Sequence, residues 1–378
     1  MQLLAVELAG FRNVEAAFVE PHPRFNVLAG ENGQGKTNFL EAVYLVGTLR
    51  SFRAGRLEEL VRFGAGSARA SARVERKGLE RRYDVEVAIE PSRKLARVDG
   101  KAVRAAAEYF GGFNVVLFSP EDLRLPRGSP SARRRFLDRA VWNVEPAFLK
   151  EAQTYERVLK SRNALLKDET GPRNFALLDV YDEQLAIAGA VIAARRRRYL
   201  DEVGPRVAAA FERISRSGLA CTARYESALT AFSSPGTFAI EPLVDELRAL
   251  IRRTRPRDLA AGYTTAGPHT DDLELDLDGR PSRLYASQGQ LRALVLALKI
   301  AEIQHLAEAS GDAPVLLLDD VSSELDPSRN AFLFEFLREA SGQVFITTTD
   351  PRFVLLDGDA GERRDFRVHQ GMIEPLSA

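Results

Sequence analysis

An α/β fold with a second, mainly helical lobe is predicted for this 378-residue chain by three features. A glycine-rich loop separates a short apolar run from a helical pattern in "FNVLAGENGQGKTNFLEAVY" (25–44). Far downstream, a second apolar run ends in paired carboxylates, "APVLLLDDVSSELD" (313–326). Between the two, apolar residues recur at helical spacing over long stretches.

In chain order, Leu3 to Leu8 alternates as a strand does, and Phe25 to Leu28 reads as a short buried strand. From Thr37 onward, Phe39, Leu40, Val43 and Tyr44 fit one face of an amphipathic helix. Alternating segments follow from Ser67 to Val103, with Asp99-Gly100 in "ARVDGKAV" as a hairpin signal. From Ser119 helical periodicity takes over. "VEPAFLKEAQTYERVLKSRNALL" (144–166) and "FALLDVYDEQLAIAGAVIAARRRRYLDEVGPRVAAAFERI" (175–214) make a helical arm, broken between them at Gly171-Pro172. A hairpin, "DLELDLDGRPSRLYA" (272–286), precedes a helix starting at Ser287, and strands follow at Val315 to Leu318 and Val344 to Thr348. The expected first lobe is therefore 1–120 with 300–378, and the helical lobe 121–299.

Lys plus Arg and Asp plus Glu number 53 each, so no global basic field marks a nucleic-acid binder, and contact with DNA or RNA must come from local patches. Arginine supplies nearly all the basic residues and alanine is abundant, a bias that a GC-rich genome also produces. The single cysteine, Cys221, excludes an internal disulfide framework and favours a reducing cytoplasm. Met1 to Leu8 lacks the charged and apolar regions of a secretion signal, and no apolar run reaches membrane-spanning length. A cytosolic protein is expected. The four histidines show no ligand spacing, so no structural metal site is expected.

Gly30, Gly35, Lys36 and Thr37 match the P-loop pattern in full, and strand, glycine loop and helix is the setting it requires. At average glycine usage, chance produces such a match in a chain this long about once in a hundred. Glycines let several backbone N–H groups point at one phosphate chain, and the helix N-terminus adds partial positive charge. Lys36 is placed to reach the β- and γ-phosphates, and Thr37 to offer its hydroxyl to Mg²⁺. Such a loop needs a carboxylate at the end of a neighbouring buried strand. Asp319 ends the apolar run Val315 to Leu318 and is the metal-side candidate, and Asp320 is placed to position or deprotonate an attacking water. An ordinary strand-ending turn is the alternative. In "YASQGQLRALVLALKIAEIQHLAE" (285–308), Ser287 is a plausible helix N-cap, and with Gly289 it makes a second anion seat, although a capped helix alone explains most of the stretch.

A P-loop, a long insertion, an S-x-G-Q helix and an acidic strand followed by Ser323-Glu324-Leu325-Asp326 is the layout of ABC-type ATPase heads, as in transporter and SMC proteins. More closely, the sequence resembles the RecF family of bacterial recombination mediators. The resemblance rests on "GFRN" (10–13), "GENGQGKTN" (30–38), "RSFR" (50–53), "FSPEDL" (118–123), "GSPSARRRFLD" (128–138), "GPH" and "DD" (267–272), "SQGQ" with Arg292, and "LLLDDVSSELD" (316–326). It covers essentially the whole chain.

The resemblance implies an ABC-type head, a mixed sheet with helices, beside a helical lobe without a long coiled coil. ATP and Mg²⁺ are the implied cofactors. The implied nucleotide set is Gly30, Glu31, Asn32, Gly33, Gln34, Gly35, Lys36, Thr37 and Asn38, joined by Ser287, Gly289 and Gln290 of a second copy. ATP then glues a homodimer, and hydrolysis through Lys36, Asp319 and Asp320 removes the glue slowly. The resemblance also implies binding of gapped or tailed duplex DNA, RecR, RecO and RecA-type partners, and a nucleoid-associated role in repair, replication, recombination and the SOS response. Arg133, Arg134 and Arg135 are candidate phosphate contacts, because cations in the first turn of a helix oppose its dipole and a merely structural helix prefers acids there. Arg195 to Arg198 and Arg252, Arg253, Arg255 and Arg257 are further clusters with a solvated helix face as the plainer reading. "FSPEDL" reads either as a nucleotide-sensing loop or as a capped helix with Pro120 in its first turn. The family usually has arginine where Thr270 stands, and glutamine and threonine where Leu291 and Ala293 flank Arg292. The histidine many ABC heads carry after the next strand is replaced by Thr347, Thr348, Thr349 and Asp350, one of whose threonines is placed to sense the γ-phosphate. A transporter subunit is disfavoured by the long helical insertion and the missing serine-glycine-glycine signature, and a nuclease-coupled phage-defence ATPase by the short stretch after Asp350.

Overall fold

The computed structural model describes residues 1–88, 92–103, 109–168, 174–232, 239–321, 325–340, 342–351, 354 and 361–376. The chain divides into two compact units, Met1–Leu123 with Ile303–Ala378, and Arg124–Glu302. The division falls inside the helix Gln288–Ser310.

Two six-stranded sheets build the first unit. One is antiparallel, in the order Val14–Val19, Gln2–Phe11, Ser67–Arg76, Leu79–Ala88, Arg93–Val98, Lys101–Ala102. Its inward face is lined by Ala68, Ala70, Ala72 and Val74, small enough for a helix to lie close. The outer face carries arginines, and those around Asp84 are paired: Asp84 accepts hydrogen bonds from Arg69, Ser71 and Arg82, and Arg82 also meets Glu7. Burial pushes the Asp84 carboxyl up, and these donors overcome it to leave the group below its ordinary value. The predicted Asp99-Gly100 turn is a two-residue loop with φ of +51° and +76°, the positive pair that the tightest hairpins require.

The second sheet runs Met372–Pro375, Arg363–His369, Phe25–Ala29, Val344–Thr348, Val315–Asp319, Val115–Phe118. From Arg363–His369 to Val115–Phe118 its neighbours pair in parallel. Phe25–Ala29, Val344–Thr348 and Val315–Asp319 are buried at every residue, as parallel strands covered on both faces are. The strand Val14–Val19 and the hairpin of Arg363–His369 with Met372–Pro375 go beyond the sequence expectation: the first shows no alternation and buries only its two end valines, and the hairpin strands bury only Phe366 and Val368.

The helix predicted from Thr37 runs Lys36–Thr48, but it is not amphipathic. Every residue from Phe39 to Thr48 is buried. Its core cluster joins Leu40 and Val43 to Leu3 and Ala70 of one sheet and to Leu317 and Phe345 of the other, and Phe39 packs on Phe345 at 6.0 Å between ring centroids. A helix between two sheets has no wet side and needs none.

The second unit holds the helices Pro130–Val144, Phe148–Lys167, Phe175–Ser215 and Ile240–Ala261, and a small sheet of Cys221–Glu226, Asp272–Leu277 and Arg280–Pro281. The predicted arm is therefore two helices, the second 41 residues long, about 60 Å at 1.5 Å per residue. The break placed at Gly171-Pro172 lies outside the described residues. A fully buried guanidinium ties three of these helices: Arg162 donates to Asp182 at 2.6 Å, to Asp258 at 2.8 Å and to Thr264 at 2.8 Å. Among the described residues no helix is long and apolar enough to cross a membrane.

Candidate nucleotide-binding site

The loop between Ala29 and Lys36 turns through two left-handed glycines, Gly33 at φ +79° and Gly35 at φ +118°, conformations side chains resist. Glu31, Asn32 and Gly33 are exposed at its tip. Lys36 is buried beneath, its Nζ donating to the carbonyls of Gly30 at 2.6 Å and Glu31 at 2.9 Å. Burial lowers the pKa of this ammonium, against the pull of Asp320 and Asp319. Gly30 is fixed for another reason: a Cβ there would stand 2.2 Å from the backbone oxygen of Val368. Gly30→Ala is expected to force these strands apart and lower stability by about 1–3 kcal/mol, as a fall in thermal midpoint.

Asp319 ends its strand beside this loop. One of its oxygens accepts from the hydroxyls of Thr37 at 2.8 Å and Thr347 at 2.9 Å. Burial pushes its carboxyl pKa up. The two hydroxyls and the Arg53 charge work against that, and Asp320 adds to it. The strand then kinks: Asp320 has φ +50°, and its N–H donates to Thr347 Oγ1 at 2.9 Å. Thr347 is thus fully buried and serves both acids, while Thr348 bonds the Asp350 carbonyl and Thr349 is exposed. Lys36, Thr37, Asp319 and Asp320 come from separate parts of the sequence and lie together beside the loop. Ser323 and Glu324 lie outside the described residues, and Asp326 caps the helix Pro327–Glu339.

Two residues at this site had gone without a role. Arg53, the last residue of "RSFR", is exposed, donates to Asn38 Oδ1 at 3.1 Å and stands near enough for its charge to act on Asp319. Arg12 grips the fully buried Glu41 with two hydrogen bonds, at 2.8 and 2.7 Å, anchoring the helix after the loop. Both belong to motifs quoted above, so their position was legible and their partners were not. Ser119 follows the strand that pairs with Val315–Asp319, and its N–H donates to Asp122 Oδ2 at 2.9 Å, the geometry of a capped turn.

Ser287, Gly289 and Gln290 belong to the second unit. Ser287 is exposed and starts the helix Gln288–Ser310 by a reciprocal cap: Gln290 N donates to Ser287 Oγ at 3.2 Å, and Ser287 N donates to Gln290 Oε1 at 2.8 Å. The arginine triplet in the helix Pro130–Val144 splits. Arg133 turns inward, 3% exposed, bound to Asp272 and to the Gly128 carbonyl, so its placement is that of a structural ion pair and not of a phosphate contact. Arg134 is half-buried and donates to the Asp271 carbonyl, and Arg135 is exposed. Arg195 to Arg198 are ion-paired to Glu145, Glu151, Asp138 and Asp201, and Arg196 is buried. Arg255 pairs with Asp179 and Asp182, whereas Arg252, Arg253 and Arg257 are exposed. Thr270 is exposed and its hydroxyl folds back onto the Gly267 carbonyl at 2.7 Å.

Buried parallel strands at the centre of a sheet, a glycine loop feeding a buried helix and an acid bonded to the loop threonine define a P-loop nucleotide-binding head of the ABC and SMC type. Residues 2–359 match the family described as the RecF/RecN/SMC N terminal domain. A DNA replication and repair protein RecF of Myxococcus xanthus is 47% identical over 356 residues, 94% of this chain and 92% of its own. One from Anaeromyxobacter dehalogenans strain 2CP-C is 46% identical over the full length of both. The solved structure of the recombination mediator protein RecF with ATP in the RecFOR pathway superposes with a TM-score of 0.89 at 31% identity, covering 100% of this chain and 98% of that one. An Smc head bound to the C-winged helix domain of ScpA shares the fold, with a TM-score of 0.56 at 16% identity and coverage of 100% and 98%. The chain belongs to the RecF family.

Proposed function

We propose that this protein is an ATP-gated DNA-binding protein of recombinational repair and replication. Two copies close on ATP, bind junctions of single- and double-stranded DNA and help load recombinase at gaps, and slow hydrolysis releases them. The observation that carries the reading is the Thr37–Asp319 contact of 2.8 Å beside a complete phosphate loop. That hydroxyl and carboxylate are hard oxygen donors of the kind Mg²⁺ takes, and together they fit the ion. When bound, Mg²⁺ neutralises charge on the β- and γ-phosphates. Lys36 supplies a fixed cation to the same phosphates. Asp320, held by Thr347, positions the attacking water and takes its proton.

Ser287 and Gly289 contact the γ-phosphate held by the second copy. The Ser287 hydroxyl accepts within its own helix, so its proton is left to donate to an anion. A nucleotide gripped from both sides binds only the paired state and shifts the equilibrium by that differential affinity. RecR, RecO and RecA-type proteins are the proposed partners, and the nucleoid the proposed location.

Sedimentation with and without ATP tests the gate: monomers in its absence and dimers in its presence are expected, and monomers in both reject it. Affinity for tailed duplex is expected to rise with ATP and fall steeply with salt. Arg135→Ala should reduce the slope of log affinity against log salt by about 1, the release of one counterion. An unchanged slope removes Arg135 from the DNA surface.

A further inference from the structure

Asn13 closes the "GFRN" stretch, in the turn between the strands Gln2–Phe11 and Val14–Val19, outside the glycine-rich loop. Its side chain nevertheless bonds that segment twice. Nδ2 donates to the carbonyl of Gln34 at 3.0 Å, and Oδ1 accepts from Asn38 Nδ2 at 2.8 Å. A second turn, between Arg363–His369 and Met372–Pro375, grips the same residue: Gly371 N donates to Gln34 O at 2.8 Å and Gln370 N to Gln34 Oε1 at 2.7 Å. Gln34 therefore accepts three hydrogen bonds from two turns that belong to different sheets.

The fit is close enough to need glycine at two places. A Cβ on Gly35 would stand 2.8 Å from Asn13 Oδ1, and one on Gly371 would stand 2.3 Å from the Asn13 carbonyl. Both glycines also have positive φ, +118° and +81°. The consequence for the loop follows from peptide planarity, which sets the carbonyl of one residue and the N–H of the next in opposite directions. With Gln34 O held toward Asn13 and Gly371, the Gly35 N–H is held away from both turns.

We propose that Asn13 and the Gln370–Gly371 turn are positioning residues for the phosphate loop, fixing the Gln34–Gly35 peptide so that the Gly35 N–H is presented to a bound phosphate before nucleotide arrives. The proposal rests on the reading of this loop as a triphosphate site. It assigns a task to the asparagine of "GFRN" and to the C-terminal hairpin, neither of which touches the reacting atoms.

Calorimetric titration of ATP and ADP into the full chain, with steady-state turnover and thermal midpoints, tests it on Asn13→Ala and on the near-isosteric Asn13→Leu, each of which removes the Nδ2 donor to Gln34 and the Oδ1 acceptor of Asn38. Each variant loses hydrogen bonds worth about a tenfold rise in Kd. That rise is expected equally for ATP and ADP, whose β-phosphate shares the cradle, with kcat at saturation unchanged and the nucleotide-free midpoint lowered by no more than a few degrees. Wild-type affinity in both variants overturns the proposal, as does a parallel loss of midpoint and kcat, which is the mark of a merely structural turn. Failure of the unaltered protein to bind ATP rejects the triphosphate reading instead.

Discussion

Asp319→Asn is expected to lower ATP turnover by about a hundredfold or more, the scale on which one preorganised charged group acts, and to abolish ATP-dependent dimerisation. Asparagine keeps the shape and one acceptor oxygen, so the hydroxyls of Thr37 and Thr347 retain their partner. What goes is the negative charge that, in the proposed function, would hold the metal side of the triphosphate. The same substitution should raise the thermal midpoint of the nucleotide-free protein. Burial holds the Asp319 pKa above its unfolded value, so the folded state binds this proton more readily. The ionised group then costs stability at neutral pH, a cost that falls away as pH drops through the raised pKa. Asparagine has no such charge to bury. Scanning calorimetry and a turnover assay read the two effects, and a midpoint that falls in the variant would contradict the account of Asp319 as a strained carboxylate kept for its chemistry.

Arg162→Ala is expected to give the largest loss of stability, about 3–5 kcal/mol, because it leaves carboxylates buried without their cation. Asp182 and Asp258 are 4% and 0% exposed, and the guanidinium is 0% exposed. Asp258 keeps Thr265 and Asp182 keeps Arg255, so the two buried acids lose only part of their compensation. The contrast is Lys160–Glu156 on the helix Phe148–Lys167, an ion pair whose side chains are 76% and 64% exposed. Breaking that pair should cost no more than about 0.5 kcal/mol. Denaturant unfolding of both variants separates the cases, and equal shifts would refute the distinction.

The candidate site was largely legible in the sequence because its parts obey local rules. The loop is a run of fixed spacing, Asp319 ends a run of apolar residues, and Ser287 precedes a helix at capping distance from Gln290. What could not be read was partnership. Nothing in "VFITTTD" marks Thr347 over Thr348 as the residue that bonds Asp319, since the choice depends on which side chain of a buried parallel strand faces its neighbour. Arg133 misled for the same reason. Its place in the first turn of a helix pointed to an external anion, and the anion is Asp272, a distant residue on the small sheet. The helix Lys36–Thr48 showed the limit of periodicity, for an element covered on every side has no face to display.

That enclosed helix has a mechanical meaning. A rod clamped by one sheet on each flank cannot tilt without prying both loose, so the loop at its tip sits on an anvil, and in the proposed cycle it is the second copy that must travel to meet it.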